Sequence, residues 1–133
     1  SSNTAVGQAS AFSSTTGPNN VAIGLNALYY NQTGGQNVAI GANALLSLTT
    51  GYNNIIVGGL AGDAMTDNTN NTVIGYYAFS TADSGENNNV VIGASAGASI
   101  NNSSADNNVI IGESAGSGSS SNTSMPAPAI QPS

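Results

Sequence analysis

The chain has 133 residues and carries six acidic side chains but no Lys, Arg, His, Cys or Trp, a net charge of −6. Without cations it offers no footprint for nucleic-acid phosphates or for an anionic membrane surface, and without Cys it has neither disulfides nor thiolate metal sites. Charged residues make up 5% of the chain and apolar residues 39%, a balance too apolar, and too regularly spaced, for simple disorder. In chain order, the first element is Asn3-Thr4-Ala5-Val6-Gly7, and it returns six times. The copies are Asn20-Val21-Ala22-Ile23-Gly24, Asn37-Val38-Ala39-Ile40-Gly41, Asn54-Ile55-Ile56-Val57-Gly58, Asn71-Thr72-Val73-Ile74-Gly75, Asn89-Val90-Val91-Ile92-Gly93 and Asn108-Val109-Ile110-Ile111-Gly112. The closing glycines are spaced by 17, 17, 17, 17, 18 and 19 residues. A fixed period of this kind sets the whole architecture. Each copy is too short for an amphipathic helix and rich in β-branched residues, so it reads as a short strand ended by a glycine turn.

Between the strands a second mark recurs ten residues after the closing glycine, at Gly17, Gly34, Gly51, Asn68 and Gly85. Asn is the other residue that tolerates positive φ, so this corner is expected to be left-handed. An alanine three residues after the glycine (Ala27, Ala44, Ala61, Ala78, Ala96, Ala115) is read as the start of a second short strand. Because Gly85 keeps its distance from Gly75, the extra residue of the longer interval is placed in Glu86-Asn87-Asn88. The predicted fold is all-β: a parallel β-solenoid, or β-roll, of about seven coils of 17–19 residues over 1–116. Ser/Gly-rich and then Pro-rich sequence at 117–133 reads as a linker or extended tail. With no signal peptide before the first repeat, the chain is expected to be a processed product or a fragment.

Stacking places like over like at about 4.8 Å, so seven coils give a rod of roughly 30 Å. Three columns follow. Asn3, Asn20, Asn37, Asn54, Asn71, Asn89 and Asn108 form an amide ladder. Gly24, Gly41, Gly58, Gly75, Gly93 and Gly112 form the turn. Val6, Ile23, Ile40, Val57, Ile74, Ile92 and Ile111 are expected to be the core column. The middle residue of the strand grows from Ala5, Ala22 and Ala39 to Ile56, Val73, Val91 and Ile110. If the residue before glycine is the core, this growth puts large side chains on the outer face as well, which association of chains around one axis would cover. Association of several chains is therefore expected, as a homotrimer, although the pattern itself does not give the number three.

No catalytic constellation is visible: Ser and Thr have no His, Lys or Cys to serve as base, so no enzyme and no cofactor is expected. Asp63 with Asp67 and Asp83 with Glu86 are the close acid pairs in sequence, and they read as solvated loop carboxylates. Asp67-Asn68-Thr69-Asn70 is oxygen-rich but lacks the calcium nonapeptide, so no metal is expected. Tyr29, Tyr30, Tyr52, Tyr76 and Tyr77 are candidate contacts to a glycan, since aromatic faces stack on sugar rings; packing between coils or chains is the competing reading. Glycosylation sequons occur at Asn31, Asn70, Asn101, Asn102 and Asn122, as chance predicts in a chain with 20 asparagines. No run is long enough to span a membrane.

Asn-Val-Ala-Ile-Gly-x-Asn-Ala-Leu at residues 20–28 and 37–45 resembles the head repeat of trimeric autotransporter adhesins. The longer unit, with Thr-Thr-Gly ahead of the next Asn, is more similar to repeats of phage tail-fibre and bacterial tail-fibre-domain proteins. The resemblance covers residues 3 to about 116. It implies a β-roll built from three chains, extracellular, on a cell surface or on a virion. It also implies, for the tail-fibre type, release of a C-terminal chaperone segment. The function expected is a structural fibre segment that projects, or attaches to, a surface, with itself as partner and a host glycan or matrix as a further one. The alternatives are an autotransporter-type adhesin and a self-polymerising extracellular filament subunit.

Overall fold

The structure is a computed structural model and describes residues 2–14 and 16–117. It contains seven strands, β1 (Thr4–Val6), β2 (Val21–Ile23), β3 (Val38–Ile40), β4 (Ile55–Val57), β5 (Thr72–Ile74), β6 (Val90–Ile92) and β7 (Val109–Ile111), and no helix among the described residues. They form one seven-stranded sheet in the order β1 to β7, every neighbour parallel. The register is the one the repeats require: Val21 faces Val38, Ala22 faces Ala39 and Ile23 faces Ile40. The fold is thus an all-β solenoid of about six turns between seven strands. The rest of 118–133, including the Pro-rich stretch, lies outside the described residues.

There is one strand per coil, not two. Ala27, Ala44, Ala61, Ala78 and Ala96 are buried but sit in turns. These turns are still laddered from coil to coil, with Asn26 N donating to Gln8 O at 3.0 Å and Leu28 N donating to Ala44 O at 3.0 Å. The backbone polar groups are thereby satisfied without regular strand geometry. What bends the chain is a set of left-handed residues repeated in each coil, such as Asn26 (φ 54°), Leu28 (φ 54°) and Gln36 (φ 60°).

The left-handed corner residue is the one before the ladder asparagine: Asn19, Gln36, Asn53, Asn70, Asn88 and Asn107, all near φ 60°. Gly17, Gly34 and Gly51 do not have positive φ. Glycine is needed there for close approach, since a Cβ on Gly34 would stand 2.2 Å from the Gly51 carbonyl oxygen. The ladder amides give the phase of this column. Asn20 Nδ2 donates to Gly34 O, Asn37 to Gly51 O, Asn54 to Asn68 O, Asn71 to Glu86 O and Asn89 to Ala105 O. The fifth member is therefore Glu86 and not Gly85. The extra residue precedes Glu86, in the arm at 83–85, because the ladder fixes the three-residue step from corner to asparagine while the arm is free to lengthen.

The core column also differs from expectation. Ala22, Ala39, Ile56, Val73, Val91 and Ile110, the middle residues, are buried, whereas Val6 is 56%, Ile23 37% and Ile111 50% exposed. Strand residues alternate in direction. The ladder asparagine points inward, so the residue two later does too, and the residue before glycine points out.

The growth of the middle residue is answered inside the same coil. Two further interior positions lie four and seven residues after the closing glycine. The trio reads Ala39, Leu45, Leu48 in one coil, Ile56, Gly62, Met65 in the next, then Val73, Phe79, Ala82 and Val91, Gly97, Ile100. Each trio holds two large side chains and one small one. Close packing enforces the trade: a Cβ on Gly62 would meet Met65 Sδ at 2.6 Å and Ile56 Cγ2 at 3.7 Å.

Candidate functional site

The predicted repeat residues fall into two groups by what they touch. Asn20, Asn37, Asn54, Asn71, Asn89 and Asn108 are buried. Each Oδ1 but the last accepts the backbone N–H of the next ladder asparagine, as in Asn37 N to Asn20 Oδ1 at 2.9 Å and Asn71 N to Asn54 Oδ1 at 3.0 Å. Each Nδ2 from Asn20 to Asn89 donates to the carbonyl that ends its own coil, as in Asn54 to Asn68 O at 2.8 Å, while Asn108 Nδ2 donates back to Asn89 Oδ1 at 3.0 Å. The asparagine thus closes its coil and ties it to the next; its partners are mostly backbone, with direct amide contacts such as Asn54 Nδ2 to Asn37 Oδ1 added. Gly24, Gly41, Gly58, Gly75, Gly93 and Gly112 all have φ between 126° and 142°.

The second group makes a surface. Because the middle residue points in, the first and third residues of every strand point out. Ile55 is 47% and Ile74 40% exposed on this face, with Ile23, Ile40, Val57, Ile92 and Ile111 in register beside them. Thr4 and Thr72 are the polar exceptions in the two outward columns. The result is an apolar face, two side chains wide and seven strands long, with no charge in it. Contiguous exposed apolar patches are uncommon on monomeric soluble proteins.

The tyrosines do not form one site. Tyr29 and Tyr30 come together with Phe12. The Phe12 and Tyr29 rings stack with centroids 5.2 Å apart and planes 10° apart, and Tyr30 meets Tyr29 edge-on at 4.7 Å. Tyr29, Tyr30, Asn26 and Leu46 line an open cleft of about 320 Å³. Phe12 is absent from the tyrosine-based expectation, yet its place was legible: Phe12, Tyr29 and Leu46 each stand five residues after a closing glycine. Tyr76 and Tyr77 pair separately at 6.2 Å, with the Tyr76 ring over Gly59. Tyr52 is exposed and stands apart from both pairs.

Asp67 accepts from Ser84 Oγ and Gly85 N, and Asp106 accepts from Asn87 N. Glu86 breaks the reading of solvated loop acids. It is buried in the corner column, its Oε2 accepts from Asn68 Nδ2 at 2.9 Å, and its Oε1 has no hydrogen bond. Burial pushes its carboxyl above the ordinary value, with the nearby Asp83 charge adding to the rise against the hydrogen bonds that lower it. Asp63 is raised in the same way, chiefly by burial. Among the described residues no group of three His, Cys, Asp or Glu could hold a metal ion, and no helix is long and apolar enough to cross a membrane. Of the sequons, Asn31 is buried with its amide donating to Gly34 O at 2.8 Å, so its nitrogen is not free for modification; Asn122 lies outside the described residues.

Comparison with protein-family models, with curated proteins and with solved structures finds no match.

Proposed function

We propose that this chain is a structural segment of a homotrimeric extracellular or virion fibre, a stiff spacer of the tail-fibre kind that projects or attaches an appendage. One observation carries the reading: the outward face of the seven-stranded sheet is apolar, uncharged and uncovered in the single chain. Burying such a face on copies of itself is worth about 1.5–3 kcal/mol for each Val or Ile side chain taken from full exposure to burial, less for these half-exposed ones. In-register columns repeat a similar pair of side chains at every coil, Thr4 and Thr72 being the polar exceptions, so a copy of the chain can match the face along its length. The number three comes from the resemblance to tail-fibre and autotransporter-head repeats. The role is mechanical, with no catalytic step.

Sedimentation equilibrium of the purified chain tests the proposal. The expected mass is three times the 13.0 kDa of one chain. A mass of one chain at micromolar concentration would overturn the assembly, and a mass of two would replace the trimer by two sheets packed face to face. An adhesin and an end-to-end filament remain distinct outcomes: the filament alone predicts a mass that keeps growing with concentration.

A further inference from the structure

We propose that the cleft on the second and third coils is a binding subsite for a neutral sugar ring. The site stands on the segment after the closing glycine, not on the strand, so it does not depend on the sheet face being free or covered. Its floor and wall are Tyr29, Tyr30, Asn26 and Leu46. Coil register fixes Tyr29: its ring is stacked against Phe12 from the neighbouring coil and holds Tyr30 edge-on. Tyr30 stays 52% exposed, with its ring edge-on to Tyr29.

The polar side of the cleft is equally preset. Asn26 Nδ2 donates to Asn43 Oδ1 at 3.0 Å, which fixes the orientation of the amide. The column of which Asn26 is part has Ala9 one coil earlier, so the ladder bond that Asn43 Oδ1 receives has no counterpart at Asn26 Oδ1. The cleft therefore offers an aromatic face, an aliphatic edge from Leu46 and an oriented amide acceptor. A pyranose presents the complement: an apolar C–H face for the ring and hydroxyl donors at its rim.

Charge selects among ligands that could stack there. A nucleotide would also place a π-face on tyrosine, but its phosphates need cations, and the chain has none. Sialylated or sulfated sugars meet the same obstacle against a net charge of −6. Neutral hexoses and N-acetylhexosamines remain. The Tyr76–Tyr77 pair, with the Tyr76 ring over Gly59, does not line this cleft and serves as an internal control.

The test is saturation-transfer NMR and tyrosine fluorescence titration of the full chain with maltotriose, the N-acetylglucosamine trisaccharide and 3′-sialyllactose. Saturation transfer to at least one neutral trisaccharide is expected, with shifts confined to the Tyr29 and Tyr30 ring protons, and none to sialyllactose. Tyr30→Ala and Asn26→Ala should each weaken that binding by about tenfold, the scale of one lost aromatic contact or hydrogen bond, and Tyr76→Ala should leave it unchanged. No transfer to either neutral trisaccharide, or preference for sialyllactose, overturns the proposal, as does full affinity in Tyr30→Ala with its circular dichroism intact. Should Tyr30→Ala lose its fold, the ring-proton shifts of the unaltered chain decide. Sugar binding and solution mass are read independently, so failure of one leaves the other standing.

Discussion

At the residue scale, the molecule is held by side chains that bond to backbone. The ladder asparagine has two jobs, and both need the amide: Oδ1 must accept a backbone N–H and Nδ2 must donate to a carbonyl. The column that receives the Nδ2 bond is made of Gly17, Gly34 and Gly51, where a Cβ would strike the next carbonyl, and then of Asn68, Glu86 and Ala105. Glu86 is the one member with an ionisable group, and its placement makes stability depend on pH. Its folded pKa lies above the ordinary 4.5, chiefly through burial. The folded state therefore holds its proton more tightly than the unfolded chain does. The sign is fixed by linkage: stability is greatest below the ordinary carboxyl value and falls as pH rises through the raised folded value. Asp63, raised for the same reason, acts in the same direction. Thermal unfolding followed by circular dichroism from pH 4 to pH 8 should show the melting temperature falling as pH rises. Glu86→Gln should melt higher than the natural chain at pH 7 and lose much of that slope. A melting temperature that rises with pH, or a Glu86→Gln variant less stable at pH 7, would show that the carboxylate is favourable where it sits.

At the element scale, a coil is a fixed volume shared by three interior positions. Val91, Gly97 and Ile100 fill one coil as Ala39, Leu45 and Leu48 fill another. Gly97 has φ 60° and Leu45 φ 50°, so the same backbone accepts either residue, and the choice is one of space. A Cβ on Gly97 would already lie 3.1 Å from Phe79 Cδ2 and 3.4 Å from Val91 Cγ1. Gly97→Leu alone should cost about 1–3 kcal/mol by overpacking. Adding Val91→Ala, which makes the coil like its third counterpart, should recover part of the loss in urea unfolding. Equal destabilisation by the single and double variants would show that the two positions do not share space. This trade also explains what the sequence could and could not convey. Period, strand identity and register were legible, because Asn and Gly punctuate every copy. Which face is inside was not, because a three-residue strand with apolar side chains at all three places shows no alternation of its own. The phase was carried by residues outside the strand: by the buried asparagine two positions before Ala22 or Ile56, and by Leu28, Leu45 and Gly62 rising and falling against the middle residue. Tyr29 and Tyr30 stood out as aromatics, whereas Phe12 is recognised as the partner of Tyr29 once their shared place five residues after a closing glycine is lined up.

At the scale of the whole molecule, reversing the phase of the strand moves the argument for assembly to a different set of side chains. Large middle residues no longer indicate a second covered face, since they fill the coil's own interior. The proposed assembly rests instead on the pair of outward columns containing the exposed Val6, Ile23, Ile55, Ile74 and Ile111. Within one chain these side chains contribute little by burial, so a polar replacement there leaves the single solenoid nearly unaffected. In the proposed assembly the same replacement would place a carboxylate in every copy of an apolar contact, where desolvation is costly and the chain has no Lys, Arg or His to offset it. Ile55, at the centre of the sheet and 47% exposed, is the position to change. Ile55→Asp should keep the circular dichroism of the natural chain while its mass at sedimentation equilibrium falls to that of one chain. Ile55→Val, which keeps the face apolar, should keep the assembly. If Ile55→Asp remains as large as the natural chain, the sheet face is not the contact, and the coils meet through their arms or their ends instead.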